Sequence, residues 1–162
     1  MKVTAKADYA VRAVLELAAA DGALVKADRI AEAQGIPRHF LDNILTDLRR
    51  AGIVATHRGA DGGSRLARPA KLITLADVMR AIEGPLAAVR DIRPESLAYD
   101  GPAERLPEVW IAVRASLRGV LEKVTVADVA SGKLPRHVEK LADDSPSSNP
   151  GAVETPGRAT GR

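Results

Sequence analysis

Between Ile36 and Lys71 the chain gathers Arg38, Arg49, Arg50, Arg58, Arg65, Arg68 and Lys71 against Asp42, Asp47 and Asp61, a net of +4. The 162 residues together carry +3, and positions 143–162 carry −1, so this one stretch holds the whole positive excess of residues 1–142. A phosphate backbone rewards such clustering, because each neutralised phosphate releases condensed counterions. Among the cations lie short polar groups able to reach a base edge: Asn43 can bond adenine twice, and Asp42 can accept from the cytosine amino group. Arg38, His39, Thr46 and Arg49 accompany them at helical spacing. Arg58, beside Gly59, stands where a guanidinium could enter a narrow minor groove. The same positions would also suit a plain solvated helix face, and Gly59, Gly62 and Gly63 an ordinary tight turn.

Other chemistries lack their residues. The cysteine count is zero, which removes disulfides, thiolate nucleophiles, cysteine-held zinc and ordinary iron–sulfur ligation together. His39, His57 and His137 are the only imidazoles, and none has a second histidine or a carboxylate at metal-ligand spacing. There is no serine elbow, phosphate loop or paired-histidine motif, so no enzyme is expected. No apolar run approaches the roughly 18–20 residues of a membrane span, and Met1-Lys2-Val3-Thr4-Ala5-Lys6 has no apolar leader behind it. A cytoplasmic protein without metal is expected.

The elements that must position these groups can be read from periodicity. Aromatic residues are only Tyr9, Phe40, Tyr99 and Trp110, so the core must be built from Ala, Val, Leu and Ile, which favours closely packed helices. A helix is predicted from Ala5 to about Ala20 with Thr4 as N-cap, then a compact one over Asp28–Gln34 ending at Gly35. A third opens at Ile36-Pro37, with Phe40, Leu41, Ile44, Leu45 and Leu48 as its buried stripe and Gly52 as its stop. Two helices joined through Gly35 and a proline-led entry read as a helix-turn-helix. Ile53–His57 and Arg65–Arg68 read as strands of a hairpin with a glycine-rich tip. The fold expected is therefore mainly α with a small β-hairpin wing.

Thr74-Leu75-Ala76-Asp77 opens a further helix with a capping box and stops at Gly84-Pro85. Residues 85–103 form an irregular connector. From about Glu104 to Val124 a long helix places Trp110, Val113, Leu117, Val120 and Val124 in alternating steps of three and four, the seam of a coiled coil. The same seam would also suit packing onto its own chain. Thr125-Val126-Ala127-Asp128 caps a last short helix, an independent use of the same capping sequence. The division expected is 1–84 as winged helix-turn-helix, 85–103 as connector, 104–142 as dimerisation helix with a short terminal helix, and 143–162, rich in Pro, Gly and Ser, as a disordered tail.

Lys6-Ala7-Asp8-Tyr9-Ala10-Val11-Arg12-Ala13, Ile30–Pro37, Phe40-Leu41, Leu48–Val54, His57–Gly63, Leu66–Pro69 and Ile73–Val78 together resemble the Rrf2 family of bacterial winged-helix regulators, which includes the iron–sulfur cluster assembly regulator. The likeness is tight over about residues 1–84 and looser in the long helix. It implies a cytoplasmic homodimer, held by crossed long helices, that regulates transcription, as a repressor, from a palindromic promoter site. It carries base reading onto Asp42 and Asn43, the minor-groove arginine onto Arg58, and a place near the DNA backbone onto Tyr9. Two departures stand out. Ser64 replaces the aromatic residue that usually follows the wing glycines, and the connector lacks the three cysteines of the cluster-bearing members. A cysteine-ligated cluster is therefore not expected; a small molecule or partner protein, entering near Arg90, Arg93 and Tyr99, is the expected alternative signal. The competing reading is a winged-helix protein-interaction module that does not bind DNA.

Overall fold

Thr4 starts the first helix, α1 (Ala5–Ala19), by accepting the Ala7 N–H on its hydroxyl at 3.1 Å. Our computed structural model of the chain describes residues 3–145; the expected tail beyond Ser145 lies outside the described residues. The second helix, α2 (Ala27–Gln34), ends at Gly35, whose φ of 60° is the left-handed stop that glycine tolerates best. The chain turns there into α3 (Arg38–Arg50), which buries Leu41, Ile44, Leu45 and Leu48 against α1 and α2. Phe40, expected in that stripe, is instead 45% exposed. It sits one position before Leu41, about 100° around the helix, and packs edge-on to Tyr9 with ring centroids 6.4 Å apart.

The hairpin pairs β1 (Val54–His57) with β2 (Gly63–Leu66) antiparallel, with Val54 opposite Leu66 and His57 opposite Gly63. The second strand begins two residues earlier than its apolar pattern predicts. The cause lies on its outer edge, where Ser64 exchanges both backbone hydrogen bonds with Val25, at 2.8 and 2.9 Å. The Leu24-Val25 stretch thereby becomes a third rung beside the wing. Ser64 is buried there, and a larger side chain is not needed to close the sheet.

A 3₁₀ turn over Ala70–Leu72 leads to α4 (Leu75–Glu83), where Thr74 and Asp77 form the expected capping box. The connector is irregular apart from two 3₁₀ turns, Pro94–Ser96 and Gly101–Ala103. The long helix, α5 (Leu106–Leu121), is shorter at both ends than its periodicity predicts. It is followed by α6 (Val126–Ser131), with its own capping box of Thr125 and Asp128, and by α7 (Arg136–Asp143). That last helix was not legible in the sequence, since only Val138 and Leu141 punctuate it and Leu141 remains exposed.

The two capping sequences face each other. Leu75 donates its N–H to the Val124 carbonyl at 2.9 Å and Val126 donates to Ile73 at 2.8 Å, so Thr74 and Thr125 form an antiparallel bridge. The chain beyond α5 thus returns to the first domain, and Val126 joins Leu17, Ile30, Leu41, Ile44, Leu48, Ile53, Ile73 and Val78 in one core. Each such aliphatic side chain contributes about 1.5–3 kcal/mol on burial. Val124, read from spacing as the end of a dimer seam, is only 2% exposed within its own chain and drops out of that seam. In contrast α5 has no buried residue, and Val109, Ile111 and Val113 stand in the open.

Candidate nucleic-acid interface

The alternation of buried and exposed positions along α3 follows from its 3.6-residue period. With Leu41, Ile44, Leu45 and Leu48 turned inward, Arg38, His39, Asp42, Asn43 and Arg49 are exposed and Thr46 is half-exposed on the outer face. Thr46 forms a ridge, for it lines grooves on both flanks. On one side a cleft of about 540 Å³ separates α3 from the hairpin, and Arg38, Asp42, Arg49 and Gly59 all border it. On the other side a groove of about 490 Å³ is bordered by Asn43, Phe40, Lys6 and Arg50. The two candidate base-reading residues thus flank the ridge instead of sharing one surface.

The hairpin supplies the far wall of the first cleft. Gly59 has φ of 108°, and a Cβ at Gly62 would stand 2.3 Å from the His57 carbonyl oxygen, so the tip closes only with glycine at these positions. At Gly63 a Cβ would meet the Val25 carbonyl oxygen at 2.7 Å, which ties the wing to the segment entering α2. Arg58 stands at this tip, exposed and in no ion pair among the described residues.

Charge pairing divides the predicted residues into two groups. Arg38 bonds Asp28 at 2.8 Å and also pairs with Asp42. Burial works against its charge, yet the hydrogen bonds and charges of those two carboxylates outweigh it and raise its pKa. Arg38 and Asp42 are therefore a mutually satisfied couple in the free protein, and either must give up part of the other to meet a base. Arg49 and Arg58 form no ion pair among the described residues, and neither does Lys26 at the rim of the cleft. Asp47, in turn, is engaged by Lys6 at 2.8 Å and Arg50 at 3.7 Å.

Tyr9 sits half-buried under the Arg12 guanidinium, 4.9 Å from its ring centre, and against Phe40. It supports the start of α3 and is not on the outer face. Lys26, Lys6 and Phe40 were missed by the sequence reading. Lys26 reaches the cleft only because Val25 pairs with Ser64, and nothing in local spacing announces that long-range bridge.

The sequence profile of Rrf2, described as an iron-dependent transcriptional regulator, matches residues 3–132. The HTH-type transcriptional regulator Rv1287 of Mycobacterium tuberculosis is 57% identical over 145 residues, covering 89% of this chain and 90% of that one. The structure of CymR, the global cysteine regulator of B. subtilis, superposes with a TM-score of 0.68 at 34% identity, over 82% of this chain and 98% of that one. T. potens IscR superposes with a TM-score of 0.65 at 34% identity, over 82% and 88%.

Proposed function

The chain belongs to the Rrf2 family of DNA-binding transcriptional regulators, and we propose that it acts as a homodimeric repressor reading a palindromic promoter site through α3 and the hairpin. It is a regulator and not an enzyme. The observation that carries the proposal is the cleft between α3 and the wing, where Lys26 and Arg49, with Arg58 beside it on the hairpin tip, form no ion pair among the described residues and are available to neutralise phosphates. The Thr46 ridge, with Asp42 and Asn43 on its flanks, fits the major groove, and Arg58 at the tip fits the adjacent minor groove. The two-fold symmetry is supported by α5, whose apolar side is not covered by its own chain.

The family's iron does not fit these residues. The sequence offers no thiolate, and among the described residues no three His, Asp or Glu side chains converge as metal ligands. We infer that this member acts without a cysteine-ligated cluster. No helix among the described residues is long and apolar enough to cross a membrane, which agrees with a role on DNA.

Selection of bound duplexes from a random library with metal-free protein, at two salt concentrations, tests both readings. A palindrome enriched at both, with affinity falling steeply as salt rises, is expected. No enrichment, or nucleic-acid binding indifferent to salt, would favour the protein-interaction module instead.

A further inference from the structure

We propose that a second site, a pocket of about 180 Å³ walled by α4, the connector and α5, binds a small oxyanion carrying two negative charges, of the size of phosphate or a four-carbon dicarboxylate. Four arginines from three segments converge on it: Arg80 near the end of α4, Arg93 in the connector, and Arg114 and Arg118 one turn apart on α5. Leu86 and Pro94, both buried, form its apolar wall. Guanidinium forks of this kind match the paired oxygens of carboxylates and phosphates.

The charge count decides between a structural tie and a ligand site. Two carboxylates already serve the arginines. Glu122 accepts from Arg80 and, at 2.9 Å, from Arg118, while Glu95 accepts from Arg114 at 2.5 Å. Those pairs suffice to fasten α5 to α4 and the connector. Arg93, however, forms no direct ion pair among the described residues and touches the cluster only through the longer-range pull of its charge on Glu95, and the four cations exceed the two anions by two charges. The Arg114 side chain is only 19% exposed and is met by Glu95, whereas Arg93 stands exposed at the mouth and can turn to an incoming anion. Like charges gathered around one cavity repel one another, and a bound anion would relieve that repulsion. The volume limits the occupant to about six waters' worth of space, well under what a nucleotide or a drug-sized ligand needs. A bound dianion would cross-link α5 to the winged-helix body at a place where the two touch little.

Calorimetric titration of the full-length protein, without DNA and at constant ionic strength, tests this with inorganic phosphate, succinate and acetate as probes. Saturable binding of phosphate or succinate, one per chain, is expected, with acetate at least about tenfold weaker. Arg93→Gln, which breaks no ion pair, should weaken the favoured dianion at least about tenfold, while Arg136→Gln on α7 should leave it unchanged. Circular dichroism confirms that both variants are folded. The site is overturned by absence of saturable heat up to about 10 mM of both dianions, by undiminished binding to Arg93→Gln, or by acetate competing as well as either dianion, the mark of an adventitious ion only. Because DNA is absent, failure here leaves the promoter-binding reading untouched.

Discussion

Arg58 and Asp42 both stand on the proposed DNA face, but the free protein treats them oppositely. Arg58 forms no ion pair among the described residues, so its removal breaks no salt bridge. Arg58→Ala should lower affinity about tenfold in a gel-shift titration and make the salt dependence shallower by about one counterion, with the selected sequence altered only where the minor groove narrows. Unchanged affinity would remove Arg58 from the interface. Asp42 is held by Arg38, which also has Asp28, so Asp42→Asn should leave Arg38 anchored while deleting one negative charge from the face. Affinity for random DNA should rise, and discrimination at one base of each half-site should fall. Asn43, on the other flank of Thr46, should change only base preference when replaced by Ala. At this scale the sequence was a good guide to the polar residues α3 exposes, because the helical period decides that, but not to Phe40, which is expected in the buried stripe and is exposed. It was a poor guide to who pairs with whom: Arg38 also engages Asp28 from a different helix, and Tyr9 packs half-buried against Phe40.

At the scale of elements, the two capping boxes were legible because each is written within four residues, whereas their mutual pairing was not. Thr74 and Thr125 are 51 positions apart in sequence, and only the packing of α6 on α1 brings them together. Asp128, at the second box, has its carboxyl held below the usual range by hydrogen bonds from the Thr125 backbone N–H and the Thr125 side chain. A folded-state pKa depressed below the unfolded one, ordinarily about 3.9, gives stability that is present above that value and lost as pH falls through the folded pKa. The stability gap between the wild type and Asp128→Asn should therefore be full near neutrality and close below about pH 4, as read by urea denaturation at a series of pH values. A gap that widens in acid would contradict the box. The wing offers a sharper test. Gly63→Ala would drive a Cβ into the Val25 carbonyl, so it should cost about 1–3 kcal/mol and loosen the third rung that carries Lys26. The start of β2 was misplaced in the sequence for the same reason, since the bridge to Val25 that fixes it is invisible to a period-two pattern.

For the whole molecule the open question is what covers α5. An apolar groove of about 770 Å³ runs along it against α1 and α4, bordered by Val109, Val113, Leu117 and Val120. Val113, Leu117 and Val120 are three of the five seam residues that spacing picked out; Trp110 lies off this groove and Val124 is buried at home. The steps of three and four showed that a face existed, but helical phase relative to the rest of the chain is set by the return of α6, which no local pattern encodes. Removing everything from Glu104 onward would strip Val126 out of the core along with the seam, so truncation would confuse unfolding with dissociation. A charge placed in the groove avoids that. Leu117→Asp should give a folded monomer by sedimentation equilibrium, with an unchanged helical spectrum, because a carboxylate cannot be desolvated against a facing apolar helix without a partner. Its affinity for a palindrome should fall to that for a single half-site, since the two recognition helices no longer bind as one unit. A Leu117→Asp protein that stays dimeric and binds the palindrome as tightly as before would place the subunit contact elsewhere on the molecule.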